Sequence, residues 1–504
     1  MTSSLWIATT EPTRFAALKG QVDVDVAIVG GGISGLTAAR LLKQAGKTVA
    51  VLELHRVLEG ETGHTTAHIT EAIDSRYVRL EKDFGKEGAI LAAQSSRDAM
   101  RQIERWIAEL GIACSYRKLP GYLYSESGGE DLEQLRKEAD AASRAGVVAH
   151  FTEKVPLPFA KGAVKFEDQA QFHPREYLLP IAQLIHGGGS SIFEETKVVN
   201  VEDGDPCRVE TAGGGVVTAR SVFVAANVPV NNRLFLNTKI PAYRTYAIGV
   251  GVEPSKTLDG LFWDTADPYH YIRTHTSSDG EILIVGGEDH RTGDESDTER
   301  CFRNLEEYTQ QHFSFDSIRY RWSGQIIEPI DGLPYIGRNS LSKNVYVATG
   351  YAGQGMTFGT LSGMIVSDLI LKGGNRYADL YDPTRIKPLA SAKDFIVENI
   401  DFPKHLVPDR LTSLDVEATT LQDVRPGVGM IVKLDGRKLA VSRSEEGEVI
   451  ALSPICTHMG CDVKWNTAEK SWDCPCHGSR FTPSGEVLNG PAVKALERVD
   501  VSGK

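Results

Sequence analysis

The sequence predicts an α/β fold with a small all-β unit at its C-terminal end. Three observations carry this: strand, glycine turn, helix and strand in order within residues 24–53, a length of 504 residues, and a change from residue 421 onward to short alternating strands separated by tight turns. At ordinary domain sizes 504 residues exceed one core, so a large unit and at least one smaller one are expected.

Residues 24–29 (VDVAIV) read as a short apolar strand, and Gly30, Gly32 and Gly35 follow in GxGxxG spacing. Residues 34–44 have helical periodicity, Gly46 suits the helix end, and KTVAVLE closes a second strand at Glu53, eighteen residues after Gly35. In such a unit the first glycine permits a tight turn, the second lets backbone approach a pyrophosphate and the third lets helix pack on strand. The helix N-terminus, with Ile33 and Ser34 in its first turn, offers N–H groups to phosphate, and Glu53 meets a ribose diol. A dinucleotide site follows. The triplets Gly187–Gly189 and Gly213–Gly215 have the wrong flanks for a second one, and the latter suits a hairpin turn. One site leaves two cases: a nicotinamide-linked substrate, or a resident flavin reduced by the substrate itself.

Composition is that of an ordinary globular protein, 41% hydrophobic and 24% charged, and the net charge of -12 argues against nucleic acid as a partner. The N-terminal stretch MTSSLWIATTEPTRF lacks the pattern of a secretory signal, so a cytoplasmic location is expected. The longest uncharged run, near 348–367, is rich in Gly, Thr, Ser and Gln, which insert poorly, so no transmembrane segment is expected. Of seven cysteines, Cys114, Cys207 and Cys301 are scattered and suit buried packing, whereas four fall within the twenty-one residues 456–476.

Residues 387–418 carry scattered prolines and little periodicity, as in a linker. Beyond them, DG and EEG mark two hairpin turns of an all-β unit. Its loops hold CTHMGC (456–461) and CPCHGSRF (474–481), six metal-capable side chains where four suffice. Zinc knuckles favour CxxC spacing, which Cys456 and His458 do not match. CxH, fifteen residues, then CxxH resembles Rieske proteins, where two Cys hold one iron of a 2Fe-2S cluster and two His the other.

The earlier part of the chain resembles a second family. The glycine fingerprint, GETGHTTAHIT (60–70), SVFVAAN (221–227), WSGQIIEPIDGLPYIG (322–337) and ATGYAGQGMTFGTLSG (348–363) occur in the order of the D-amino-acid oxidase, glycine oxidase and sarcosine oxidase flavoproteins. The implied fold is α/β, a Rossmann-like FAD-binding domain (about 20–95, 160–235 and 326–385), with an interleaved α+β antiparallel substrate domain (about 95–160 and 240–325). A linker (386–418) and a small all-β Rieske domain (419–504) follow. The resemblance places Thr65 and Thr66 near the pyrophosphate or flavin, Val198 at adenine, and Gly350, Gly353, Gln354, Gly355 and Met356 in a loop closing on the flavin ahead of a helix over 360–371. Some relatives attach flavin covalently at a His in a place comparable to His64; most hold FAD without a bond, and acid precipitation separates the two cases by where the yellow goes. Tyr243, Tyr246, Tyr269, Tyr271 and Arg273 fall in substrate-domain strands and are candidate substrate contacts, the Arg as a carboxylate clamp.

For the tail, the resemblance assigns Cys456, His458, Cys474 and His477 to the cluster and Cys461 with Cys476 to a disulfide, unusual for a cytosolic protein. It makes Ser479 a donor to a cluster sulfur; Phe481 replaces a Tyr of high-potential members, which implies a potential below the top of the Rieske range of about -150 to +300 mV. Together the cofactors FAD and 2Fe-2S imply a dehydrogenase of a C–N bond in a small amine or amino acid, with the cluster passing electrons singly to an external electron carrier. Inward flow from a ferredoxin and a redox-sensing role are the alternatives. A self-contained oxygenase would need a mononuclear iron site of two His and a carboxylate, and no such spacing occurs outside the tail.

Overall fold

The computed structural model describes residues 3–229, 236, 239–277, 280–385 and 418–501, so the expected linker lies, but for Ala418, outside the described residues. The strand Gln21–Val29 pairs in parallel with Val49–Leu52 on one side and Val216–Val224 on the other. Ser191–Phe193 and Val345–Thr349 extend this sheet in parallel, and Tyr335–Arg338 ends it antiparallel. The turn at Gly213–Gly215 joins the antiparallel strands Cys207–Thr211 and Val216–Val224, as a hairpin should. Helix Ile33–Gln44 covers the sheet and crosses helix Gly355–Lys372 so closely that a Cβ on Gly363 would lie 2.7 Å from Thr37 Cβ. This packing accounts for Gly359 and Gly363, which face Ile33 and Thr37.

A second, nine-stranded sheet is antiparallel except where Leu261–Asp264 runs parallel to Arg117–Ser125. Its strands come from three separated stretches: the short His68–Ile69, residues 117–171 and residues 242–327. One boundary moves: the strand Gly162–Gln171 pairs with Arg117–Ser125 and belongs to this sheet, past the position near 160 expected for the return to the first domain. The helix at the flavin-family loop also begins at Gly355, earlier than 360, because the loop glycines feed straight into its first turn.

The C-terminal unit has a three-stranded and a four-stranded antiparallel sheet. Asp435 and Gly436, at φ 48° and 79°, make the two-residue turn between Gly429–Leu434 and Arg437–Arg443. This unit is locked onto the second sheet by buried charge. Glu469 accepts from Arg244 Nη2 at 2.6 Å and also pairs with Arg480, whose Nε donates to Asp473 at 3.0 Å. Arg244 is 1% exposed and Asp473 2% exposed. Thr298 Oγ1 donates to Asn466 Oδ1 at 2.9 Å on the same seam. Glu469→Ala would leave two arginines facing each other with little water, a loss of about 3 kcal/mol. The urea midpoint followed by tryptophan fluorescence should fall accordingly; an unchanged midpoint would show that the seam contributes nothing.

Candidate functional site

One cavity of about 320 Å³ lies between the two sheets and the C-terminal unit. Gly30 (φ 111°) turns the chain beneath Ala225, and a Cβ on Gly35 would sit 2.0 Å from Gly30 O, so glycine is required there. Helix Ile33–Gln44 starts at Gly32, which has no side chain to cap it; Thr62 Oγ1 accepts the Ile33 N–H at 3.1 Å, and the next backbone donors of the first turn remain for a ligand. Glu53 takes the Gly31 N–H on Oε2 at 2.6 Å and the His55 N–H on Oε1 at 3.0 Å, while burial raises its carboxyl above the ordinary range.

Gly30, Gly32, Ile33, Ser34 and Glu53 line the cavity, and Val198 closes the Glu53 end beside Thr196 and Lys197. Thr65 and Thr66 line it further along, with His64, whose Nδ1 lies 3.0 Å from Gly60 O. From the opposite side come Gly353, Gln354, Gly355 and Met356. Gly35 and Gly350 stand behind this wall as turn and packing positions. A second uncapped helix start, at Gln354, thus opens on the same space. Two helix N-termini, a glycine cradle and a carboxylate at one end fit a dinucleotide.

The candidate substrate contacts divide. Tyr269 and Tyr271 line the cavity. Tyr246 does not: it is buried on the other face of the sheet, stacked on His290. Tyr243 also lies away from the cavity. Arg273 is fully buried and donates to the carbonyls of Thr66 and Ala67 at 2.9 and 2.8 Å. It holds the turn below the cavity and is not available to clamp a substrate carboxylate; burial, then Arg117, lowers its pKa to about 9.

Sequence reasoning missed Asp74, Asp289 and Gln325. Asp74 opens on the cavity and accepts from Gly353 N at 2.8 Å. Gln325 lines the cavity and donates from Nε2 to Gly478 O at 2.7 Å. It lies within residues 322–337, but a contact across 153 residues leaves no local signal.

In the C-terminal unit the two loops are paired turns: Gly460 N returns to Cys456 O and Gly478 N to Cys474 O, both at 3.0 Å. The disulfide Cys461–Cys476 joins them. Cys456 and Cys474 are buried side by side, and neither belongs to a disulfide. The His458 and His477 rings lie 4.9 Å apart at the same tip. The compact cysteine group by sulfur distance is Cys461, Cys474 and Cys476, which combines one free thiol with the disulfide. Two thiols and two imidazoles converging from two clamped loops fit a mixed Cys/His 2Fe-2S centre. Phe481 is fully buried behind them, and Ser479 Oγ accepts from Ala492 N at 3.0 Å.

This second site borders the first. Leu488, Asn489, Gly490, Ala492 and Val493 form part of the cavity wall, and Asn489 Nδ2 donates to Glu61 Oε1 at 3.2 Å.

Residues 25–369 match the FAD dependent oxidoreductase family and residues 416–500 the Rieske [2Fe-2S] domain. The chain therefore belongs to the FAD dependent oxidoreductases, carries a C-terminal Rieske domain, and has FAD and a 2Fe-2S cluster as its cofactors. Among its relatives, YhfW of Bacillus subtilis (strain 168), named for a Rieske 2Fe-2S centre, is 31% identical over 98% of this chain and 97% of its own. Gamma-glutamylputrescine oxidoreductase of Escherichia coli (strain K12) is 26% identical over 75% of this chain and 90% of its own. Glycine oxidase from Geobacillus kaustophilus superposes with a TM-score of 0.62 at 20% identity, covering 72% of this chain and 99% of that one, a likeness of fold. Among the described residues no helix is long and apolar enough to cross a membrane.

Asp289 carries a pH consequence. Burial, with Glu328 and Asp74 nearby, raises its carboxyl to about 8, against Thr245 and Tyr269, which lower it. The unfolded chain ionises near the ordinary carboxylate value of about 4, so between about pH 4 and 8 the folded form holds the extra proton and stability falls as pH rises. Asp289→Asn removes this term. Its unfolding midpoint should decline less than that of the parent from pH 5 to pH 8; parallel curves would show no such burial penalty.

Proposed function

We propose that the protein is a dehydrogenase of a C–N bond in an amine or amino acid, passing electrons from FAD through the Rieske cluster to an external one-electron carrier. The carrying observation is the shared wall: residues 488–493 border the cavity, and Gln325 joins it to Gly478, next to His477. The Escherichia coli relative, named for gamma-glutamylputrescine, supports a C–N substrate. FAD supplies two-electron acceptance of a hydride, and the cluster supplies transfer of single electrons.

In this reading Gly30, Gly32, Ile33 and Ser34 hold the pyrophosphate with Thr65 and Thr66, Glu53 the ribose and Val198 the adenine. Gly353 to Met356 put the second helix start against the flavin, where its N–H groups favour negative charge. Cys456, Cys474, His458 and His477 ligate the cluster. A substrate that arrives as an ammonium must give up a proton to water before hydride leaves the adjacent carbon for FAD, and the resulting iminium hydrolyses in water. Exposed Ile455 and Met459 beside His458 offer a contact for the carrier.

Anaerobic addition of an oxidisable amine should bleach the flavin and then raise the electron paramagnetic resonance signal of the reduced cluster. Gln325→Leu should leave bleaching intact and slow the second phase by ten-fold or more; bleaching with no cluster signal in the parent would defeat the relay. Cys456 and Ser479 lie within hydrogen-bonding reach. Ser479→Ala, removing one donor worth about 1.4 kcal/mol, should lower the cluster potential by about 60 mV. An unshifted titration would show that Ser479 does not tune it.

A further inference from the structure

The end of the cavity away from Glu53 has a chemical character of its own. Trp263, Tyr269 and Tyr271 line it, the two tyrosine rings 5.7 Å apart, and Asp74 opens onto it. His68 stands edge-on to Trp263 and Tyr271 and is held neutral, its pKa lowered to about 3 by burial and by Arg273. Aromatic faces with a carboxylate beside them are the surroundings an ammonium group favours.

A buried carboxylate stands behind this wall. The register of the strands Ala242–Val252 and Gly280–Arg291 shifts between Arg244 and Tyr246, opposite Gly287 (φ 143°) and Glu288 (φ 56°). Before the shift, Gly286 carries the Tyr271 ring across its face. After it, His290 stacks on Tyr246 on the far side, so Asp289 turns toward the cavity side, facing Thr245 and Tyr269. Both Asp289 oxygens are shut off from solvent; the Thr245 and Tyr269 hydroxyls face them, but neither completes a well-formed hydrogen bond. A buried carboxyl met only by such loose hydroxyl contacts carries a cost that a ligand of positive charge would relieve.

Positive charge is scarce here. Among the described residues that line the cavity, Lys197 is the one Lys or Arg, and it sits at the Glu53 end. Arg273 is committed to the Thr66 and Ala67 carbonyls. A substrate carboxylate would meet Asp74 with no cation to balance it.

We propose that this end of the cavity is a cation site, selecting amines that present an ammonium group without a carboxylate next to it. Asp74 makes the direct contact, Trp263, Tyr269 and Tyr271 form the aromatic faces, and Asp289 is the specificity-determining charge behind Tyr269. The substrate class rests on the C–N dehydrogenase reading; the site does not. Asp289 loses its proton as the cation binds, so affinity rises with pH until the free carboxyl has ionised on its own. The groups facing Asp289 are Thr245, Tyr269, Asp74 and Glu328, of which the two acids favour its protonated form.

The test uses the FAD-loaded, cluster-loaded protein and two inert probes, tetramethylammonium and acetate, read by perturbation of the flavin absorbance. Tetramethylammonium should bind, with affinity rising about ten-fold per pH unit below about pH 8. Asp289→Asn should weaken it at pH 8 and flatten the dependence, Asp289→Glu should restore both in part, and Asp74→Asn should weaken binding while keeping the slope. Retained flavin absorbance and an unchanged cluster spectrum establish that each variant is folded. Binding of acetate but not tetramethylammonium, or an Asp289→Asn protein with parental affinity and slope, would overturn the proposal. The two readings separate cleanly: if the cation binds as expected but no amine bleaches the flavin, the dehydrogenase reading falls and the site stands. If amino acids bleach it and the cation does not bind, the reverse holds.

Discussion

Glu469 is shared by two arginines from different parts of the chain, Arg244 in the antiparallel sheet and Arg480 in the Rieske domain. Such an arrangement holds only if all its members are present, because any one removed leaves charge without water. Asp473 completes the balance on Arg480, with Asn466 Nδ2 donating to its other oxygen at 2.9 Å. The rest of the two-cofactor geometry depends on this seam. It brings the 474–481 loop against Gln325 and the 488–493 stretch against the cavity.

A fixed seam has a consequence for electron transfer. Where an iron–sulfur head must swing between partners, its interface is small and its contacts are replaceable. Here the wall of one cofactor cavity is built from the other cofactor's domain, and Glu61 bonds both to Gln325 N at 2.6 Å and to Asn489. Moving the Rieske domain would open the cavity and strand buried charge. The distance between centres is therefore set by folding.

The fold was legible in the sequence because its signals are local: a glycine turn between strand and helix, a two-residue hairpin at Asp435–Gly436, two ligand loops with fixed spacing. The disulfide was legible as well, through the resemblance of its loops. Arg273 shows where legibility ends. Its type and its strand were right for a carboxylate clamp, but the backbone carbonyls of 66 and 67, over 200 residues earlier, had claimed it. Tyr246 was lost to the same cause at shorter range, since the bulge beside it decides which sheet face each neighbour takes. Asp289 depends on that bulge too, and no pattern in GGEDHR announces it. Gln325 and Asn489 stood inside recognised stretches, yet their meaning is a contact between domains that spacing does not encode.

The cluster tip has two unlike sides, and this gives the proposed relay a direction in space. His477 is 6% exposed and lies next to Gly478, whose carbonyl Gln325 holds, so its side faces the cavity. His458 is half-buried, between Ile455 at 39% and Met459 at 36% exposure, on the outer side. Apolar residues left in water around a redox centre favour a passing partner over a permanent one when no larger apolar surface surrounds them. Arg480 and Asp473, buried on the inner side, neutralise each other and leave that side without net charge from the pair. The inner contact is thus built to stay and the outer one to exchange. That asymmetry is what a centre needs if it takes electrons from one fixed donor and gives them to partners that come and go.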